Sequence, residues 1–350
     1  MDNSSQRTIL RVSPACEIPQ LAGQITSALV GDGPTLGFGE ITSESAPHYA
    51  AVVVGTSGSS GASREVALTA TALISSARAS HKFIGAKPGQ TWSLLLPLTH
   101  IAAVNVIVRS IELGTLPIDL RNYEGEYPKV DYTSIVPTQL FRALNGDVRL
   151  LNHLKSAKTV LVGGAALSQS LRNQAELAGI KVITTYGMTE TCGGCVYDGE
   201  VLDGVEVEIR NGKINIRGPI LASSISLDAG WYETSDLGEI VDEKLFVLGR
   251  ADDVIISGGE NLSLNAVEES LSKAFPDIQS AAFAIEDPQW GHSLQIAIVG
   301  EVSDELISNH LEKELGAFAK PKGIHHLASL PLLGIGKVDR KALAKGISHE

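Results

Sequence analysis

The chain has 350 residues, enough at roughly 100 to 200 residues per domain for two or three domains and a large buried core. Hydrophobic residues make up 43% and charged residues 19%, a balance that excludes a disordered tail or a coiled coil. Lys+Arg 28 against Asp+Glu 40 leaves a net charge of −12, which works against general affinity for nucleic acid or anionic lipid, so an anionic substrate needs locally placed cations.

Cys16, Cys192 and Cys195 are too few and too unevenly placed for a disulfide framework, so a reducing compartment, the cytoplasm, is expected. The opening MDNSSQRTILRV lacks the apolar core of a signal peptide, and no later run approaches the ~20 apolar residues that span a bilayer. Neither secretion nor membrane integration is expected, and no sequence feature sets an oligomeric state.

From Ala51 to Gly187, short apolar runs alternate with helical patterns. The runs are AAVVV from Ala50, WSLLLP from Trp92, TSIVP from Thr133, KTVLVGG from Lys158 and KVITTYG from Lys181. The predicted helices are Glu65 to Lys82, His100 to Leu113, Thr138 to Leu144 and Ser168 to Ala178, the last capped by the Ser168 hydroxyl. Continuous apolar strands separated by helices predict an α/β fold with a parallel sheet covered on both faces. After Cys195, VEVEIRNGKINIRG alternates with period two around Asn211-Gly212, which predicts a hairpin in a small antiparallel unit. Past Arg250 the pattern resets: a helix near Asn265 to Phe275, strands near Ser280 to Ile285 and Leu294 to Val299, and a helix near Asp304 to Ala317. The expected division is therefore a large domain over 1–251 and a small α+β domain over 252–350, with the boundary at Asp252.

Three segments carry candidate chemistry. Directly after the first apolar run stand Thr56, Ser57, Gly58, Ser59, Ser60, Gly61 and Arg64. Small residues let backbone N–H groups approach phosphate oxygens, hydroxyls donate further bonds, and Arg64 adds fixed positive charge. No Gly-Lys-Ser/Thr closes the loop, so it is not a Walker A loop; a flexible surface loop is the plain alternative. The second segment is Tyr186, Gly187, Met188, Thr189 and Glu190, which follows the last parallel strand and so belongs on the same ligand-binding rim. Glu190 offers a hard oxygen for Mg²⁺ and Thr189 a donor for phosphate, or the two simply start a helix. The third is Asp236, Arg250, Asp252 and Lys337: a carboxylate for ribose hydroxyls, a guanidinium for ribose or phosphate, and a mobile point charge. The pair Cys192/Cys195 lacks further thiolates for a metal site, and His325-His326 has no acidic partner at ligand-like spacing.

In this order the segments resemble the adenylate-forming superfamily, which includes acyl-CoA synthetases, luciferases and peptide-synthetase adenylation domains. The resemblance runs from about Val52 to the C-terminus. It implies that Thr56 through Gly61 hold the pyrophosphate end of ATP and that Gly163, Gly164 and Ala165 form the adenine-binding strand end. It further implies that Thr189 and Glu190 serve phosphate and magnesium, Asp236 and Arg250 the ribose, Asp252 the hinge, Lys337 adenylation, and Gly258-Gly259 the path of the CoA thiol. Within the superfamily, PLTHIAAVNVIVRS, SIVPTQLFRAL and YGMTETCGGCVYDG resemble the 2-succinylbenzoate–CoA ligases of menaquinone biosynthesis. That likeness implies an acyl pocket with His100, Asn105 and Arg109, in which Arg109 recognises the second carboxylate of an aromatic dicarboxylic acid; otherwise Arg109 snorkels to the surface. ATP, Mg²⁺ and CoA are the implied small molecules. A carrier-protein thiol in place of CoA, or nucleotide binding without turnover, remain open. Three departures stand out: Ser63-Arg64-Glu65 replaces the family's Pro-Lys-Gly, Thr234-Ser235-Asp236 replaces Thr-Gly-Asp, and the segment before the loop is shorter than in typical members.

Overall fold

A computed structural model describes residues 6–57, 63–257, 260–287, 291–332 and 338–347. Four sheets organise the chain. The first runs in the order Ser45–Pro47, Gln6–Arg11, Thr35–Phe38, Ala50–Ser57, Ser63–Thr69. The second runs Glu200–Val201, Gly193–Tyr197, Val182–Met188, Thr159–Val162, Tyr132–Ile135, Trp92–Leu94, Ile118–Asp119, its last five strands parallel. The central strands Trp92–Leu94, Tyr132–Ile135 and Thr159–Val162 are buried almost throughout, Ser93, Thr133 and Ser134 included, because helices cover both faces. The third sheet is antiparallel and meandering: Glu206–Arg210, Lys213–Arg217, Tyr232–Val241, Lys244–Arg250. Its first turn is Asn211-Gly212, with φ of 51° and 76°, the positive angles that a tight hairpin demands. The fourth sheet follows the order Glu260–Ser263, Val254–Ser257, Gly291–Val299, Gln279–Asp287, with Gly323–His326 parallel to Gly291–Val299.

Two sequence expectations are corrected. The run AAVVV does not join the parallel sheet: Ala50–Ser57 pairs in parallel with Thr35–Phe38 and antiparallel with Ser63–Thr69. The expected helix over Glu65 to Lys82 starts only at Ala70, since Ser63–Thr69 pairs as a strand with Ala50–Ser57 and Thr69 then caps Ala70–Ile84, its Oγ1 accepting from the Ala72 N–H at 3.0 Å. A further helix, Val148–Ser156, starts under the Asp147 cap and was not legible as a period.

Ala70–Ile84 and Ile101–Glu112 pack on each other, and Ala70–Ile84 touches strands of both the first and second sheets. One continuous core results, joining Val52 and Leu68 to Leu73, Val104, Ile107 and Trp92. Leu140, Leu150, Leu154 and Ala175 cover the other face of the parallel sheet. The fourth sheet has its own core around Val267, Leu271, Ile296 and Ile307. Among the described residues, no helix is long and apolar enough to cross a membrane.

The backbone reverses between Val182–Met188 and Gly193–Tyr197, where Gly187 faces Gly194 across a register shift. A side chain at Gly187 would collide with the backbone of Gly193 and Gly194. Gly187→Ala should therefore lower the unfolding free energy by about 1–3 kcal/mol, the usual cost of forcing a methyl group into a packed site. Urea denaturation checks this, and a wild-type midpoint would contradict the steric account.

Candidate functional site

The site begins where the parallel strands end. Thr159–Val162 runs into Gly163, where a Cβ would collide with Thr185 Oγ1, and Gly164, whose φ of 84° suits glycine; Gly164 and Ala165 are exposed on the open rim. The neighbouring strand Val182–Met188 ends in the single 3-10 turn Thr189–Thr191. Crevices outside such carboxyl ends are where open α/β sheets hold ligands.

The Gly/Ser segment is flanked by two strands, Ala50–Ser57 and Ser63–Thr69, that pair antiparallel, and not by a strand and a helix. Thr56 lies opposite Arg64, and its hydroxyl donates to the Arg64 carbonyl at 3.0 Å. Ser57 closes the strand, while Gly58, Ser59, Ser60 and Gly61 lie outside the described residues. On the second of these strands, Arg64 Nη1 stands 3.8 Å from Glu190 Oε1. That distance is too long for a hydrogen bond, so the sheltered Glu190 carboxylate keeps its acceptor capacity for another partner. The Glu190 carbonyl accepts from the Ala222 N–H at 2.8 Å, which fixes the turn against the loop between Lys213–Arg217 and Tyr232–Val241 of the third sheet.

Asp236 comes from the third sheet. Its Oδ2 accepts from the Tyr186 hydroxyl at 2.8 Å, and its Oδ1 is 3.7 Å from Arg250 Nη1, directly across the ladder. Arg250 also donates from Nε and Nη2 to the two carboxylate oxygens of Asp252, at 2.8 and 3.0 Å. Burial, reinforced by the Asp236 charge, pushes the Tyr186 phenol far above its ordinary range. Tyr232 was not singled out from the sequence, although Tyr232, Thr234 and Asp236 share one face of their strand by period two. Burial, with the charge of Glu190 next in weight, pushes its phenol up to about 12, and Arg64, Asp236 and Arg250 also act on it. Tyr232 thus marks where the charged groups from three separate segments converge.

A second line of residues descends Ile101–Glu112 into the core. His100 occupies the N-cap position, its Nδ1 2.7 Å from Thr99 Oγ1. Asn105 donates to the Cys192 carbonyl at 2.6 Å, two residues past Glu190, which ties this helix to the rim turn. Arg109, nine residues and thus about 14 Å of helix axis below His100, is only 4% exposed. It does not snorkel. Its Nη2 donates to the Tyr197 hydroxyl at 3.0 Å, its guanidinium lies 5.2 Å from the Trp92 ring centre, and Tyr197 also meets Ser80 Oγ at 2.9 Å. Among the described residues no carboxylate pairs with Arg109. Its Nε, Asn105 Oδ1, His81 Nε2 and Trp92 Nε1 are buried without a hydrogen-bond partner there.

Cys192 and Cys195 are free and buried, and burial pushes both thiols up. Among the described residues no group of three His, Cys, Asp or Glu is placed to hold a metal. His326 is exposed, and its Nε2 is 2.8 Å from Asp304 Oδ1, a partner brought near by the fold from 22 residues away. His325 Nε2 meets Gln295 Oε1 at 3.0 Å. Gly258, Gly259 and Lys337 lie outside the described residues.

A mixed α/β fold, with backbone-lined strand ends beside a carboxylate-guanidinium network, defines a nucleotide-site type of architecture. The profile of the family described as "AMP-binding enzyme" matches residues 17–220, and the chain belongs to that family. A Mycobacterium tuberculosis protein named "Probable 2-succinylbenzoate--CoA ligase" is 38% identical over 331 residues, covering 86% of this chain and 85% of its own. An arginine-to-lysine variant of E. coli MenE with bound OSB-AMS superposes with a TM-score of 0.75 at 25% identity, covering 97% of this chain and 81% of that one. O-succinylbenzoate Coenzyme A Synthetase (MenE) from Bacillus subtilis, in complex with AMP, gives 0.71 at 26%, covering 84% and 69%.

His81 sits in the same buried cluster as Arg109 and Trp92, 8% exposed. Burial, with the Arg109 charge second, pushes its imidazole down to about 4. An unfolded histidine titrates near 6.5, so between those values the unfolded chain binds a proton that the folded chain excludes. Stability is therefore full above about pH 6.5 and falls as pH drops toward 4, by at most about 3 kcal/mol from this group. His81→Leu should flatten the difference in unfolding free energy between pH 7 and pH 4.5 relative to wild type. An unchanged difference would remove His81 from the acid response.

Proposed function

We propose that this protein is an ATP-dependent acid–thiol ligase that converts 2-succinylbenzoate to 2-succinylbenzoyl-CoA through an acyl-adenylate. The observation that carries the substrate assignment is Arg109, a buried guanidinium with no carboxylate partner among the described residues, lying below a rim of nucleotide-site character. Desolvating such a cation costs several kcal/mol unless an anion meets it, and a dicarboxylic acid brings that anion while its other carboxylate stays free to react. The named relatives and MenE structures support the same reading.

In the first step a substrate carboxylate oxygen bonds to the α-phosphorus of ATP as the bond to pyrophosphate breaks. In the second, the CoA sulfur, having lost its proton, bonds to the acyl carbon, and the bond to AMP breaks. Thr56 through Gly61 and Arg64 hold the pyrophosphate end; Gly163, Gly164, Ala165, Gly187 and Met188 form the adenine and phosphate wall. Asp236, held by Tyr186, has acceptor capacity for ribose hydroxyls, and Arg250 steadies it. Magnesium, when bound, neutralises phosphate charge, and Glu190 suits it: one carboxylate completed by phosphate and water oxygens is a common magnesium set. Lys337 stabilises the reacting phosphate, and Thr189 donates to it. Residues 1–251 bind ATP and the acid, residues 252–350 carry Lys337, and Asp252 is the hinge between them, with Gly258-Gly259 along the thiol path. His100 and Asn105 line the acyl pocket. The three unpaired cysteines suit a reducing cytoplasm.

Acid-dependent pyrophosphate exchange across a panel of aromatic and aliphatic acids tests the reading, with 2-succinylbenzoate expected to be preferred. Arg109→Leu should lower kcat/KM for 2-succinylbenzoate by roughly one to two orders of magnitude, the worth of one charge-assisted contact, and narrow the preference over a monoacid analogue. If the variant keeps the full preference, Arg109 does not read the second carboxylate. Lys337→Ala should abolish adenylation yet leave thioester formation from supplied acyl-adenylate largely intact, and equal loss in both half-reactions would make the lysine structural.

A further inference from the structure

Arg340 opens the helix Arg340–Ile347 and is the hub of a largely sheltered polar knot. Its Nη1 donates to Asp253 Oδ2, its Nη2 to Glu268 Oε1 and its Nε to the Ala282 carbonyl, each at 2.9 Å. Glu268 Oε1 also accepts from the Ala282 N–H at 2.9 Å. One side chain therefore ties together the turn Ala251–Asp253, the helix Leu264–Ala274 and the strand Gln279–Asp287. Only the rigid guanidinium fork can serve three acceptors in fixed directions; an ammonium on the same stem cannot.

The knot lies next to two groups that matter for the reaction. Asp253 directly follows Asp252, and Arg340 comes three residues after Lys337. The chain between Lys337 and Arg340 is itself pinned, since Val338 bridges antiparallel to Leu332 and the Asp339 N–H donates to the Pro331 carbonyl at 2.8 Å. Leu343, one turn into the helix, is buried against Phe283. We infer that Arg340 is a positioning residue: through Asp253 and Glu268 it fixes the base from which Lys337 reaches the reacting phosphate and ties that base to the turn holding the hinge residue Asp252. This rests on the adenylating reading above. Three residues of chain span at most about 10 Å, so Lys337 stays within that reach of the anchor at Arg340.

Asp253→Asn in the full-length protein tests the clamp, because it weakens one leg while the contacts to Glu268 and Ala282 stay. Amides of Val338–Ile347 should exchange hydrogen faster than in wild type. The kcat of pyrophosphate exchange should fall about tenfold to a hundredfold with the KM for ATP little changed, the signature of a misplaced catalytic group. Thioester formation from supplied acyl-adenylate should keep its wild-type rate, Asp253→Glu should recover most of the loss, and Arg340→Lys should reproduce it. Unchanged exchange at Val338–Ile347, or equal loss in both half-reactions, would overturn the inference. A wild-type protein without acid-dependent pyrophosphate exchange would sink the adenylating reading instead, and the hydrogen-exchange comparison would still decide whether the clamp exists.

Discussion

The backbone reversal at Thr189–Gly193 is the constraint on which the rest of the site depends. It brings Gly193–Tyr197 back along Val182–Met188 at a separation that leaves no room for a side chain at Gly187. From that reversal Glu190 faces Arg64, the Cys192 carbonyl takes Asn105 and Ser76, and Tyr197 reaches Arg109. Tyr186, one residue before the close approach, reaches Asp236 in another sheet. A shift of register by one residue would turn each of these side chains to the opposite face, so the glycines hold the chemistry in place by holding the register.

Arg109 shows how much the core concedes to function. Its neighbours offer one phenol hydroxyl and an indole face, which offset only part of the cost of removing a guanidinium from water. An apolar residue would pack Ile101–Glu112 at lower cost, yet this helix carries Asn105 and Arg109 among Val104, Val106, Ile107 and Val108. His81 pays a related cost, held neutral by burial with Arg109's charge beside it. The incomplete pairing makes physical sense when a ligand supplies the missing anion.

The charged groups nearer the surface divide their contacts differently. Arg250 splits its guanidinium between Asp252 and Asp236, so the candidate ribose ligand and the candidate hinge share one cation. Arg340 does the same one residue later with Asp253, and adds a second carboxylate from the helix that packs beneath it. Consecutive aspartates thus point to different cations, one on each side of the turn Ala251–Asp253. The exposed Arg250–Asp252 pair contributes little stability by itself, and the effect of both clusters here is orientation.

Local chemistry made part of this legible in advance. Apolar runs and helical periods marked four of the five parallel strands and the helix bearing Arg109, and Ser168 and Asn211-Gly212 announced a cap and a turn because each acts within a few residues. The ordered motifs pointed to the nucleotide rim for the same reason. Which sheet a strand enters was not legible: AAVVV carries the same apolar signature in either sheet, and only its pairing with Thr35–Phe38 decides. Tyr232 is one tyrosine among seven until the ladder sets it beside Glu190, Asp236 and Arg250. His326 finds Asp304, and Arg340 finds Asp253 and Glu268, across separations no local pattern encodes. Hydrophobic period and turn chemistry are properties of neighbouring residues, so composition and order settle them; ion pairs and pocket walls join distant segments, and chain reversal and sheet register alone bring those together.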